Sequence, residues 1–193
     1  MIENTATALW RPCRADDSLA ASHDDALVAA TATRIIPAGP PQPELLMTLD
    51  ELSRDNSLMA AYVAADFKVT GTPTPFVLRV GKPSPELAAA YLANNVNCSA
   101  FLTAWNPNSV PQPEIINRAS QERLETELTA MGLTLLAGFG EDPSGAWPGE
   151  PSVLVLGLSR SEAERVGRAF GQLAIVWSGE TAVPELVVLG QSG

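Results

Sequence analysis

The chain has 193 residues, 46% of them hydrophobic, which is enough to bury a core in one domain or two small ones. Its 12 Lys and Arg residues and 22 Asp and Glu residues give a formal net charge of -10. Because no Lys/Arg cluster is present, the chain lacks the cationic surface that binds nucleic-acid phosphates or anionic membranes. We therefore expect no nucleic-acid or membrane partner, and an unknown small molecule or protein instead.

The cysteines and the start of the chain bear on its compartment. Cys13 and Cys98 are far apart in sequence, and their spacing predicts neither a disulfide framework nor a metal site. Met1–Trp10 lacks the basic start and apolar core of a signal peptide, and no apolar run approaches the ~20 residues that span a bilayer. These features favour a reduced, cytoplasmic protein with Cys98 buried in its core.

Residues 1–47 differ in composition from the rest of the chain. Ala, Thr and Asp dominate up to Arg34, and prolines recur between Pro37 and Pro43. Such spacing is typical of a stiff, extended linker, because each proline ring fixes φ and removes an amide donor. We expect a loosely packed N-terminal extension with a Pro-rich linker over 1–47, and a single α+β domain over 48–193.

Two helices and a hairpin are predicted over 48–98. A capping box that starts at Thr48 predicts a helix to about Ala64. The side chains expected on its buried face are Leu52, Met59, Tyr62 and Val63. Residues 67–70 and 76–80 predict two strands joined by a Pro/Gly turn. Ser84, followed by a proline, predicts the start of the second helix.

From Ala100 onward, strand and helix patterns alternate more regularly. Strands are predicted over 100–105, 133–137, 153–158, 173–177 and 186–189, with a Gly/Pro-rich loop over 138–151. One predicted helix spans 113–131 and the other begins after Ser159. Their expected buried faces are Ile116, Leu124, Leu128 and Met131, and Ala163, Val166, Gly167 and Phe170. This order predicts the fold class α+β, with a ferredoxin-like βαββαβ core, an N-terminal hairpin and helix addition, and an extra C-terminal strand.

The residues that catalysis usually requires are scarce. His23 is the only histidine, so a Ser-His-Asp or Cys-His arrangement lacks its base and a His/Cys zinc site lacks ligands. Gly138-Phe-Gly140 lacks the Gly-Lys-Ser/Thr of a phosphate-binding loop. The loop carboxylates Glu141 and Asp142 do not match an EF-hand. We therefore expect no metal and no cofactor, and the sequence leaves open whether the protein is an enzyme.

Polar and aromatic residues gather instead near the ends of the central elements. The strand over 100–105 runs into Trp105-Asn106-Pro107, where proline stops it. Glu150 lies between a glycine and a proline directly before a buried strand, which fixes its position. Taken singly, each of these residues can be explained as a core, cap or turn residue.

Four motifs carry a family resemblance. They are Phe101-Leu-Thr-Ala-Trp-Asn-Pro107, Asn117-Arg118, Gly145-Ala-Trp-Pro-Gly-Glu-Pro-Ser152 and Phe170-Gly-Gln-Leu-Ala-Ile-Val-Trp177. Over about 60–192 the chain resembles an uncharacterised bacterial family, the domain of unknown function DUF3293. The resemblance implies no substrate, cofactor or reaction.

Two functional hypotheses follow. The first is a small ligand- or protein-binding module with a polar and aromatic site around the Thr103–Pro107 motif. The candidate site residues are Thr103, Trp105, Asn106, Arg118, Trp147, Glu150 and Gln172. The second is an enzyme in which Glu150 transfers a proton while the Asn106 and Gln172 amides bind developing charge. Because nothing in the sequence activates a nucleophile, we place binding first.

The predicted topology indicates which candidate site residues lie close together. The end of the first core strand and the start of the following helix meet in a ferredoxin-like order, so we expect Asn106 and Arg118 to be neighbours. Glu150 and Gln172 would join them in one cleft beside Trp105 and Trp147. An ion pair between Arg118 and Glu150 is the contact expected there.

Overall fold

A computed structural model describes residues 49–145 and 148–189 of the chain, with side chains from Ser57 onward. The predicted extension 1–47, with Cys13 and His23, lies outside the described residues. So do Thr48, the Leu52 side chain and Trp147.

Four α-helices lie in the described part of the chain. They are α1 (Leu49–Ala64), α2 (Pro85–Asn94), α3 (Glu114–Ala130) and α4 (Arg160–Ala169). The predicted caps of two helices are confirmed: Ser84 accepts a hydrogen bond from Leu87 N, and Ser159 accepts one from Glu162 N. These hydroxyls satisfy amides that have no partner within the helix. None of the described helices is long and apolar enough to cross a membrane.

Within residues 49–145 and 148–189, one seven-stranded sheet supports these helices. Its strands are β1 (Asp66–Val69), β2 (Phe76–Leu78), β3 (Ser99–Leu102), β4 (Thr134–Glu141), β5 (Glu150–Leu156), β6 (Ala174–Ser178) and β7 (Pro184–Val188). The order is β2-β1-β4-β5-β3-β6-β7, and every neighbouring pair is antiparallel. The predicted strands over 100–105, 153–158 and 173–177 become neighbours as β3, β5 and β6, which confirms that they share a sheet. The fold class α+β is confirmed.

The two faces of the sheet carry separate cores. On one face, α3 and α4 cover inward side chains of the central strands, and this core contains Leu124, Leu128, Val155, Val166 and Phe170. On the other face, α2 packs its Leu87 and Tyr91 side chains against a second core. Because side chains alternate along a strand, β3 supplies Leu102 to the first core and Phe101 to the second.

The sheet curls, so the segment after one edge strand meets the opposite edge. Gly81 N, just beyond β2, donates to Pro184 O at the start of β7 at 2.7 Å. Ser84 N donates to Ala182 O at 3.0 Å. These bonds use backbone groups next to the two edge strands. They enclose α2 on the face of the sheet that carries the second core, which is called the inner face below.

The hairpin of β4 and β5 extends beyond the sequence prediction. β4 continues to Glu141 through residues assigned to a loop, and β5 begins at Glu150, paired with Gly140. Two glycines hide the strand pattern there. A Cβ on Gly138 would lie 2.8 Å from the Phe101 ring, so the missing side chain makes room for an aromatic one. Glu150 therefore lies in the sheet, at a position fixed by its pairing with Gly140 on β4.

Two residues predicted to be buried are exposed. Val63 on α1 is 50% exposed and Ile116 on α3 is 51% exposed. In α3 the buried positions of the first two turns are Asn117 and Gln121. Apolar periodicity could not reveal a buried face that begins with amides. That polar stretch lies directly below the candidate site.

Candidate functional site

A cavity of about 400 Å³ lies between α1 and the inner face of the sheet. Its floor includes Phe67, Phe101 and Val176 from three strands, and α1 covers it with Ala61 and Tyr62. Phe67 and Phe101 meet edge to face with ring centroids 5.4 Å apart. The cavity is therefore bounded mainly by apolar and aromatic groups.

Five of the seven candidate residues line this cavity. They are Thr103, Trp105, Asn106, Glu150 and Gln172. Trp147 lies outside the described residues, and Arg118 is not part of the lining.

The chain leaves β3 through a bend that side chains hold in place. Thr103 Oγ1 donates to Pro151 O at 2.8 Å and accepts from Trp105 N at 3.0 Å. On α3, Gln121 Oε1 accepts from Ala104 N at 2.9 Å. These groups replace the strand pairing that Thr103 and the next two residues would otherwise make. The strand consequently ends at Leu102, three residues earlier than predicted, and Trp105 turns to the cavity.

Asn106 is the centre of a hydrogen-bond network. Its backbone is left-handed (φ 46°, ψ 62°), a conformation that asparagine tolerates better than most residues. Asn106 Oδ1 accepts from Gln112 N at 3.0 Å and from Asn117 Nδ2 at 2.8 Å. Asn117 Oδ1 accepts from Asn106 N at 2.9 Å. Two asparagines thus lock the loop to the first turn of α3.

The remaining Asn106 donor holds Glu150. Asn106 Nδ2 donates to Glu150 Oε1 at 2.7 Å. The second oxygen, Glu150 Oε2, makes no hydrogen bond to a described residue. Burial raises the pKa of the Glu150 carboxyl, and the Asn106 bond partly opposes that rise. The site therefore contains a half-buried carboxylate with one oxygen held by Asn106 and the other without a partner among the described residues.

Tyr62 links α1 to the same loop. Its hydroxyl hydrogen-bonds Ser109 Oγ at 2.6 Å. Burial raises the pKa of the Tyr62 hydroxyl, the Ser109 bond opposes the rise, and the negative charge of Glu150 adds to it. Tyr62 thus closes one side of the cavity as a neutral phenol at neutral pH.

Gln172 fixes the other side. Gln172 Nε2 donates to Trp105 O at 3.1 Å and to Phe170 O at 3.4 Å. The preceding Gly171 has φ 68°, and a Cβ there would lie 2.9 Å from Pro107 Cβ. Glycine at this position lets the α4–β6 turn approach the Trp105–Pro107 loop, so both loops form one wall.

The structure contradicts the expected position of Arg118. Arg118 NH2 pairs with Glu114 Oε1 at 2.6 Å on the outer surface of α3, and its side chain is 62% exposed. The preceding residue, Asn117, occupies the buried face, and consecutive helical residues point in different directions. The predicted Arg118–Glu150 ion pair is wrong, and Asn117 is the neighbour of Asn106.

Sequence reasoning also missed Tyr62 as a cavity residue and Asn117 and Gln121 as supports. Asn117 stands in the same motif as Arg118, and Asn117, Gln121, Leu124 and Leu128 recur at helical spacing. If amides are counted among the buried positions of α3, this spacing predicts that Asn117 and Gln121 are buried. Nothing local in the sequence places Tyr62 beside Glu150, because α1 reaches the cavity only through the tertiary fold.

The site offers little to a metal ion. In the described ranges, no group of three or more His, Cys, Asp or Glu side chains could hold one. Among the lining residues that the structure describes, Glu150 is the one carboxylate and no Lys, Arg or His is present. The arrangement can accept hydrogen bonds or pair with a positive charge.

Comparison with known proteins identifies a family for this part of the chain. Residues 102–175 match the model of a family described as "Protein of unknown function (DUF3293)". This segment is similar to DUF3293. It spans all seven candidate residues, from Thr103 to Gln172, but not the α1 and β1 residues of the cavity. No curated protein and no solved structure matches the chain.

Proposed function

We propose that this protein binds a small, largely apolar molecule in the cavity beneath α1 and holds its polar group at Glu150. The observation that carries the proposal is the half-buried Glu150 carboxylate, fixed by Asn106 on one oxygen, in a cavity of about 400 Å³. Small-molecule sites commonly combine apolar walls with a few placed polar groups. A cavity of this shape supports a small ligand more than a protein partner, which would need a flat exposed patch.

Acid–base catalysis by Glu150 is the second candidate. The raised pKa of its carboxyl favours this role, since catalytic carboxylates often have such pKa values. The two amides assigned to developing charge are nevertheless occupied. Asn106 Nδ2 donates to Glu150, and Gln172 Nε2 donates to two backbone carbonyls. The Gln172 amide thus donates twice to the backbone and the Asn106 amide is bound to Glu150 itself, so binding accounts for the site better than catalysis.

We also propose a more specific fold and a cellular location for the protein. The strand order β4-β5-β3-β6, with α3 and α4 on one face, supports a ferredoxin-like βαββαβ core within a single domain over 48–193. The net charge of -10 supports a partner other than nucleic acid or an anionic membrane. A cytoplasmic location remains part of the same proposal.

A cavity-filling variant tests the proposed function. Ala61 on α1 lines the cavity, whereas its neighbour Ala60 is exposed and does not. A library of small neutral and charged fragments is screened by ligand-observed NMR against the protein, Ala61→Phe and Ala60→Phe. We expect hits that bind the protein and Ala60→Phe but lose binding to Ala61→Phe. Hits that ignore the Ala61 substitution, or a library without hits, would contradict the proposal.

A further inference from the structure

The charge of the cavity limits what it can hold. Among the described lining residues, Glu150 is the one carboxylate, and none carries a basic side chain. Lys68, on strand β1 of the same sheet, is paired with Glu141. An anionic ligand would therefore face a carboxylate with no compensating cation, at a cost that rises as water is excluded.

The hydrogen-bonding capacity of Glu150 points the same way. Its Oε1 is engaged by Asn106, and its Oε2 has no partner among the described residues. A carboxylate oxygen only accepts, so the complementary ligand group is a donor. A charged donor forms the stronger bond and also supplies the counter-charge that this half-buried carboxylate lacks.

The walls favour a positive charge on an apolar body. Tyr62, Phe67, Phe101 and Trp105 place four aromatic rings around the cavity. Aromatic faces attract ammonium groups and also pack well against flat apolar bodies.

We propose that the ligand is a small organic cation, an ammonium group on an apolar and preferably aromatic body, with the ammonium held by Glu150. This inference rests on the proposed function, since it names the class of molecule that the same cavity takes. Glu150 is then a specificity-determining residue, and Asn106 is the residue that positions it.

Three isosteric probes test the inference. Tryptamine, tryptophol and indole-3-acetate share an indole body and carry a cation, a neutral hydroxyl and an anion. Binding of each is measured by isothermal titration calorimetry at physiological ionic strength, where long-range attraction to the acidic surface is screened. We expect tryptamine to bind about ten-fold more tightly than tryptophol, equivalent to ~1.4 kcal/mol, and indole-3-acetate to bind most weakly.

Three variants locate the effect. Glu150→Gln keeps an oxygen that can accept from Asn106 but removes the charge, so tryptamine should fall to the affinity of tryptophol. Glu122→Gln removes an exposed carboxylate on α3 outside the cavity and should leave all three affinities unchanged. Ala61→Phe should abolish binding of tryptamine and tryptophol alike.

The outcomes separate the two proposals. Equal affinity for tryptamine and tryptophol, with both lost in Ala61→Phe, would overturn the cation inference and leave the proposed function standing. Tryptamine binding that survives Ala61→Phe would show attraction to the acidic surface and overturn the inference at this site. No binding of any probe at its solubility limit would overturn the inference together with the proposed function.

Discussion

The two faces of the sheet are built from the same strands but differ in how completely they are filled. On the α3–α4 face, leucines and a phenylalanine fill the space, and Leu124, Leu128 and Phe170 are at most 5% exposed. On the inner face, α2 fills one part, while α1 lies over the rest with Ala61 and leaves a cavity. The difference teaches that the covering helix, more than the sheet, decides whether a face becomes core or site.

The polar side chains of the site also differ between the two faces of the sheet. The buried amides of Asn117 and Gln121 on α3 accept hydrogen bonds from the chain that follows β3. They hold the Ala104–Asn106 bend in place. The α3–α4 face thus holds Asn106 in place through Asn117, and Asn106 in turn holds Glu150 in the cavity on the inner face. A binding site gains precision from such an arrangement, because the groups around it are held by secondary structure.

The largest expected effect comes from truncating a leucine on each covering helix. Leu128 on α3 is fully buried, whereas Leu58 on α1 borders the cavity. Leu128→Ala should lower the free energy of unfolding by about 4 kcal/mol, because it removes contacts and opens a void in a filled core. Leu58→Ala should cost about 1 kcal/mol or less, because one side of Leu58 already lacks partners. Urea denaturation measures both, and equal losses would contradict the division between the faces.

The next effect concerns the asparagines of the loop. Asn106→Ala should lower the free energy of unfolding by about 3 kcal/mol, because it removes a hydrogen-bond partner from buried Asn117 and half-buried Glu150 and strains a left-handed backbone. Asn108 is the matched control, since it has φ 55° but makes no side-chain hydrogen bond to a described residue. Asn108→Ala should cost about 1 kcal/mol. If both variants lose the same stability, the network around Asn106 contributes nothing beyond backbone conformation.

A smaller effect is expected at Glu150, with a sign set by its pKa. Burial raises the pKa of this carboxyl in the folded state, so ionisation of Glu150 opposes folding at neutral pH. Glu150→Gln should therefore unfold at an equal or slightly higher urea concentration than the parent at pH 7. The advantage should shrink as the pH falls through the raised pKa and vanish below the ordinary value of 4.5.

Denaturation at several pH values measures this difference, with Glu141→Gln as the control on the neighbouring strand. A parent protein more stable than Glu150→Gln at pH 7 would contradict the pKa direction. It would also indicate that Glu150 serves the fold and not a ligand.

The smallest effect is expected at Arg118. Its ion pair with Glu114 is exposed, and such pairs contribute about 0.5 kcal/mol or less. Arg118→Ala should leave thermal stability nearly unchanged and should not alter the affinity of any probe bound in the cavity. A ten-fold loss of probe affinity would return Arg118 to the site and contradict the position described above.

Much of the fold could be predicted from local pattern. Ser84 and Ser159 predict helix starts because a hydroxyl before a helix satisfies its first amides. The apolar run that became β5 predicts a central strand because both of its faces are covered. The predicted strand over 133–137 ends before the observed end of β4 at Glu141, because Gly138 has no side chain that could continue the strand pattern.

The candidate site could be predicted only in part. Thr103, Trp105, Asn106, Glu150 and Gln172 stood out because polar and aromatic residues beside prolines and strand ends are unusual, and all five line one cavity. The predicted position of Arg118 is wrong because the choice between adjacent helical positions depends on the rotation of α3 against the sheet. That rotation is fixed by which side chains pack, and here an amide packs where an apolar residue was expected.

By itself, the sequence determined the elements, their approximate bounds and the residues unusual enough to form a site, because caps, periodicity and breakers act over a few positions. Only the tertiary structure decided which of those residues meet. Tyr62 is 88 positions from Glu150, and the charge of Glu150 reaches its hydroxyl because α1 folds over β5 and its neighbours. Contacts between distant segments depend on how whole faces pack, and no local pattern encodes that.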